Sequence, residues 1–128
     1  MAIRELGIIL HGATGRIAST QHLANALAPI IAEGGLDVGN GETVMPKLIL
    51  AGRDEAKLAD IARTHNVENW TTDLDTALAD PAYPVFFDAA ATHLRLDLLH
   101  RAIDAGKHIY TEKPVAPCIK DGLAILSA

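Results

Sequence analysis

Short apolar runs alternate along the chain with stretches in which apolar residues recur every three or four positions. Leu6–Leu10 is an apolar run closed by Gly12, the pattern of a strand buried on both faces. From Arg16 onward Ile17, Ala24, Leu27, Ala28 and Ile31 follow helical spacing until Gly34-Gly35 ends the pattern. Ala32–Pro46 is glycine-rich and lacks periodicity, so it predicts a long loop, a feature that in compact domains is functional or contact-making. Lys47–Ala51 predicts the next strand, and Gly52-Arg53-Asp54 leads into a helix with Leu58, Ile61 and Ala62 on its buried face and Asn66 suited to a left-handed C-terminal cap. Asn69–Thr72 then predicts a short strand, Leu74–Ala79 a short helix capped by Asp73, and Asp80-Pro81-Ala82-Tyr83-Pro84 a turn. The strand Val85–Ala89 precedes a helix carrying Leu94, Leu98, Leu99, Ala102 and Ile103, which Gly106 closes. A strand at His108–Thr111 and a helix beginning over Ile119–Leu126 complete the series.

Strands and helices in this alternation require crossover connections, and these are right-handed and produce a parallel sheet. The expected class is therefore α/β, a Rossmann-like doubly wound parallel sheet. At 128 residues and 49% hydrophobic content the chain supports one domain with a real core and leaves no room for a second. Residues 1–128 are expected to form a dinucleotide-binding domain. The aromatic share of 4% leaves Ala, Leu and Ile to build the core, which suits helices on a sheet better than a β-sandwich. A formal charge of −5 without a basic stripe argues against a nucleic-acid partner. With the single Cys118, no apolar leader and no membrane-length apolar run, a soluble cytoplasmic protein with no membrane partner is expected.

The candidate chemistry gathers at strand ends. Gly12-Ala13-Thr14-Gly15-Arg16-Ile17 follows the first strand and opens the first helix, where a tight turn brings backbone N–H groups and a helix N-terminus against a pyrophosphate. A bulkier residue at Gly12 would obstruct that approach. After the Lys47–Ala51 strand, a dinucleotide fold places the residue that meets the adenine ribose, and here Gly52-Arg53 stands at that point. The guanidinium of Arg53 suits a 2′-phosphate while Asp54 caps the following helix, which favours NADP over NAD. Read without a ligand, Arg53 is a solvated residue at a helix start. Ala89-Ala90-Ala91-Thr92 offer small residues against which a cofactor could lie, with Thr92 either adding a hydroxyl or serving as an N-cap.

At the end of the His108–Thr111 strand, Glu112-Lys113-Pro114 places a lysine beside a rigid neighbour. In a partly desolvated crevice shared with the cofactor turn, Lys113 would exchange a proton with a substrate hydroxyl as hydride moves to nicotinamide. Its ordinary alternative is a surface lysine. Glu112 either accepts from the nicotinamide ribose or pairs with a neighbouring cation, and the Lys113–Pro114 bond is open to either isomer. His11, His22, His65, His93, His100 and His108 are dispersed over different elements and predict no metal site. Cys118 reads as a helix-start or core residue.

With Ala102-Ile103-Asp104-Ala105-Gly106-Lys107-His108-Ile109-Tyr110-Thr111-Glu112-Lys113-Pro114-Val115-Ala116, Gly15-Arg16-Ile17 and Ala51-Gly52-Arg53, nearly the whole chain resembles the N-terminal domain of the Gfo/Idh/MocA oxidoreductases. The resemblance implies NAD(P)-dependent oxidation or reduction at a carbinol carbon of a sugar, polyol or related hydroxy compound, with Lys113 assisting proton transfer. Three departures stand out. Leu10 replaces the first glycine of the usual fingerprint, and the Gly12–Ile17 turn also resembles dihydrodipicolinate reductase. Ala91 and Arg95 stand where the family commonly has proline and histidine. The family's second α/β domain, which carries substrate and oligomer contacts, is missing from these residues, so the chain is expected to be an N-terminal portion that binds cofactor, turns over poorly alone and is open to self-association. The competing expectations are a non-catalytic dinucleotide-binding module and a dihydrodipicolinate-reductase-like enzyme.

Overall fold

The computed structural model describes residues 2–128. Strand β1 (Ala2–His11) lies at the centre of the sheet, with β3 (Glu42–Ala51) on one side and β5 (Val85–Asp88) then β6 (His108–Thr111) on the other, all parallel. The far side of β3 is shared: β4 (Asn69–Thr71) runs parallel to its end, and β2 (Leu36–Gly39) runs antiparallel to its start. The architecture is the α/β Rossmann-like sheet expected, with an antiparallel edge strand added.

Alternation within the strands assigns the two faces of the sheet. Ile8, Leu10, Leu48, Leu50 and Phe87 pack on one face with Leu23, Leu58 and Ala62. Those last three belong to helix α1, which is wide and π-type over Ile17–Leu27 before an α-helical turn Ala28–Ala32, and to α2 (Glu55–Thr64). Ile9, Ala51 and Phe86 point to the opposite face and meet α3 (Leu74–Ala79) and α4 (Arg95–Asp104) through Leu78, Leu98, Leu99 and Ala102. Helices cover both faces, which is why the central strands are apolar without alternation. The last helix, α5 (Ile119–Ser127), packs partly against α4 through Ile125 and leaves Ile119, Leu123 and Leu126 exposed.

The expected loop over Ala32–Pro46 is instead largely a β-hairpin. Asn40 and Gly41 have φ of 55° and 74°, a pair of left-handed residues that turns β2 directly into β3. That is the backbone an Asn-Gly pair favours in a two-residue hairpin turn, so the signal was present although the flanking strands lacked clean alternation. Likewise β1 begins at Ala2 rather than Leu6, because Ala2–Glu5 pair in register with Glu42–Met45 while remaining exposed and partly charged. Asn66 (φ 55°) and Gly106 (φ 78°) close α2 and α4 in the left-handed conformation as expected. No helix among the described residues is long and apolar enough to cross a membrane.

Candidate functional site

The sheet order reverses direction at β1, between β3 and β5, and the C-terminal ends of these three strands open into a cleft of 750 Å³. This is the switch point at which open α/β sheets bind their ligands. Gly12, Thr14 and Gly15 line it from the turn after β1, Gly52 and Arg53 from the turn after β3, and Ala90 from the turn after β5.

Gly12 is demanded twice. Its φ of 75° disfavours any side chain, and a Cβ there would lie 2.7 Å from Ala90 N and 2.8 Å from Ala90 Cα. The atom it makes room for is therefore the facing wall of the cleft, in addition to whatever ligand the cleft takes. The N–H groups of Gly12 and Ala13 both donate to Ala51 O, at 2.9 and 3.2 Å, and Gly15 N–H donates to Gly12 O at 2.9 Å. Within the turn, Thr14 and Arg16 are left without a hydrogen bond from N–H among the described residues, so two donors rather than the full set are open to an anion. Ala13 is fully buried in the core, and Arg16 and Ile17 lie off the cleft lining at the start of α1.

Arg53 is exposed at the cleft and makes no ion pair among the described residues. Asp54 is the N-cap of α2, its Oδ1 accepting from Lys57 N–H at 3.1 Å. Asp54→Ala is expected to lower stability by about 1 kcal/mol in urea denaturation, the usual cost of a lost cap, with Asp54→Asn close to wild type. Thr92 opens a 3₁₀ turn, Thr92–Leu94, whose N-cap is Ala91 with no side-chain cap bond; the N-cap alternative for Thr92 is thus incorrect, and its residue lies off the cleft lining. Cys118 is exposed and occupies the N-cap of α5, in keeping with the helix-start alternative and not with the core one.

The expectation that Lys113 sits partly desolvated in the same crevice needs correction. Lys113 is exposed, and Glu112, Lys113 and Pro114 lie off the lining of the cleft. They are joined to it by Arg95, a residue that sequence reasoning registered only as a departure from a family pattern. Arg95 is 1% exposed and all three nitrogens of its guanidinium donate hydrogen bonds. Nε donates to Asp88 Oδ2 at 2.9 Å, Nη2 to Ala90 O at 2.7 Å, and Nη1 to Glu112 O at 2.9 Å and Pro114 O at 2.5 Å. The Lys113–Pro114 peptide bond is cis.

Asp88 completes the hub from below. Fully buried, it accepts from His11 Nδ1 at 3.2 Å and from Ala90 N–H at 3.1 Å, while its own carbonyl accepts from Glu112 N–H at 2.9 Å. Burial pushes the Asp88 carboxyl up, but the hydrogen bonds from His11, Arg95 and Ala90 outweigh it and hold it below the usual carboxylate range. Glu112 is bonded within the fold: His22 Nε2 donates to its Oε1 at 2.6 Å. That bond, against a smaller opposing effect of burial, holds the Glu112 carboxyl low. The ring of His22 packs against Phe87 with centroids 4.7 Å apart, which seats it on the sheet. Neither histidine could be found from spacing, since each meets an acid nearly a full domain away in sequence. No group of three or more His, Cys, Asp or Glu among the described residues is arranged to hold a metal ion.

Three strand-end turns meeting at the switch point of a mostly parallel sheet define a Rossmann-like α/β domain. No family profile matches the chain. It is 41% identical over 118 residues to D-xylose dehydrogenase of Paenarthrobacter nicotinovorans, an alignment covering 92% of this chain and 30% of the relative. It is 32% identical over 80 residues to levoglucosan dehydrogenase of Pseudarthrobacter phenanthrenivorans, covering 62% of this chain and 20% of the relative. A solved levoglucosan dehydrogenase in complex with NADH and levoglucosan superposes with a TM-score of 0.77 at 27% identity, over 97% of this chain and 32% of that one. These relatives are sugar dehydrogenases, in line with the resemblance to the Gfo/Idh/MocA oxidoreductases. The chain spans about 30% of the length of the first of them.

Proposed function

We propose that the chain is the N-terminal cofactor-binding domain of an NAD(P)-dependent oxidoreductase that moves hydride between nicotinamide and a carbinol carbon of a sugar, polyol or related hydroxy compound. The observation that carries this reading is the cleft at the switch point, with the Gly12 turn on one side and the Ala90 wall bound through Arg95 to the carbonyls of Glu112 and Pro114, on either side of Lys113. Similarity to D-xylose and levoglucosan dehydrogenases supports a sugar over the dihydrodipicolinate-reductase-like alternative.

The residues fit a dinucleotide. Thr14 has an N–H at the cleft, and Arg16 one just beyond its lining, without a partner among the described residues and so open to a pyrophosphate; Gly12 lets the turn lie close against Ala90, and Arg53 stands unpaired at the cleft. A bound nicotinamide supplies the hydride acceptor or donor. The protein's part is to orient it against the Ala90 wall and to exchange the substrate hydroxyl proton at Lys113 Nζ, the base or acid according to direction. Substrate recognition is assigned to a further domain of the longer enzyme, so this domain alone is expected to bind cofactor with little turnover. The exposed Ile119, Leu123 and Leu126 support self-association of the isolated domain, which sedimentation would read.

For the cofactor we favour NADP, because Asp54 is committed to its cap while Arg53 is free to pair with a 2′-phosphate. NAD is the second reading, supported by the NADH in the levoglucosan dehydrogenase complexes. Calorimetric titration with NADPH and NADH decides. Tighter NADPH binding, weakened about tenfold or more by Arg53→Ala with NADH little changed, is the expected result for one charge-assisted phosphate contact. Equal or tighter NADH binding would make the domain NAD-dependent, and failure to bind either would overturn the proposed site.

A further inference from the structure

We propose that Arg95 is a positioning residue that fixes Lys113 relative to the cofactor cleft, by clamping the two peptide carbonyls that flank Lys113 to the backbone of the Ala90 wall. The inference rests on the reading of Lys113 as the proton-exchanging group and goes beyond it, since Lys113 is exposed and its side chain has no partner among the described residues.

A flexible lysine on a surface turn is a poor acid or base unless something else sets its backbone, because a displacement of about 1 Å can cost on the order of a hundredfold in rate. Arg95 supplies that constraint. One nitrogen, Nη1, donates to the carbonyls of both Glu112 and Pro114, so the residue between them is held from each side. The other terminal nitrogen donates to Ala90 O in the cleft wall, and Nε is anchored on the buried Asp88. Asp88 accepts from Ala90 N–H and, through its carbonyl, from Glu112 N–H, so wall and turn are bonded to the same two residues. A planar guanidinium can satisfy these directions together, whereas an ammonium is a compact donor that could keep the charge beside Asp88 and still fail to span three carbonyls. Arg95→Lys is therefore the informative variant.

The test follows acetylation of Lys113 by acetic anhydride, mapped by mass spectrometry with Lys57 and Lys120 as internal standards, at saturating concentrations of the more tightly bound dinucleotide. In the wild-type chain the dinucleotide is expected to slow Lys113 acetylation about tenfold, and in a folded Arg95→Lys chain less than about twofold even at saturation, because the turn is no longer held against the wall. Equal protection in both chains overturns the positioning role and leaves the site reading intact. Absent protection in a wild-type chain that binds the dinucleotide removes Lys113 from the site, and the inference falls with that reading. If Arg95→Lys does not fold, amide exchange in the wild-type chain decides: Ala90 and Glu112 N–H groups, both bonded to Asp88, are expected to share one opening constant, and openings differing by about tenfold or more would overturn the clamp.

Discussion

Asp88→Ala is expected to destabilise the chain by about 3–5 kcal/mol, the usual cost of removing one partner from a buried ion pair. The variant would leave the guanidinium of Arg95, 1% exposed, without its counter-charge. It also strips the acceptor from His11 Nδ1 and from Ala90 N–H. Urea denaturation followed by far-ultraviolet circular dichroism reads the loss. Asp88→Ala combined with Arg95→Met should recover only part of it, because the carbonyls of Ala90, Glu112 and Pro114 lose their shared donor in the double variant. Full recovery would mean that the hub is a simple ion pair with no backbone role. A pH dependence accompanies this. The Asp88 carboxyl is lowered from 3.8 in the folded chain, so its contribution is complete above that unfolded value and is lost as pH falls through the folded one. Glu112 and Asp73 are lowered as well, the first chiefly by His22 and the second by the Thr76 hydroxyl, and act with the same sign. Asp88→Asn should therefore flatten the loss of stability below about pH 4 without abolishing it, as read by stability measured across pH.

What the sequence disclosed was whatever depends on one element at a time. Leu58 and Ala62 mark the buried face of α2, Asp54 and Asp73 cap α2 and α3, and Gly106 ends α4, because helix faces and caps are fixed by residues three or four apart. The strand His108–Thr111 was legible to the residue. The hairpin at Leu36–Ala51 was not, since β2 is only four residues long and exposed at every position, leaving Asn40-Gly41 as its clearest local sign. The same distinction governs the site. The strand-end turns could be placed in one cleft because any parallel sheet brings its C-terminal edges together. The hub of His11, Asp88 and Arg95 could not: its bonds span 77 and 7 residues, and a buried arginine has the same letter as a surface one. Lys113 was expected to be enclosed because the turn that carries it follows an apolar strand, yet the enclosure belongs to its flanking carbonyls and the side chain is free.

Gly7→Ala is expected to be the most damaging single-methyl addition in the chain, costing about 3 kcal/mol or more and leaving little folded protein at physiological temperature, toward the upper end of overpacking effects. Nothing about Gly7 looks special in the sequence: it sits inside an apolar run, its backbone is that of an ordinary strand, and alanine is sterically close. The reason lies across the sheet edge. A Cβ at Gly7 would stand 1.8 Å from Ala82 O, 2.8 Å from Ala82 C and 2.8 Å from Tyr83 Cα, and all three are backbone atoms that cannot rotate away. Neither partner has room to yield. Gly7 pairs with Lys47 in the β1–β3 ladder, and the turn before β5 is held by Tyr83 N–H to Asp80 O at 3.2 Å and by the buried Tyr83 ring. Moving either would shift β1 or β5, two of the three strands whose ends form the cleft, so cofactor binding should fail together with stability. Ala82→Gly is expected to give no rescue, because the obstructing atom is a carbonyl present in both residues. A glycine inserted between Asp80 and Ala82, which lengthens the turn, should recover a measurable part of the midpoint in thermal denaturation. Rescue by Ala82→Gly would place the conflict in a side chain and contradict the close approach of the two backbones.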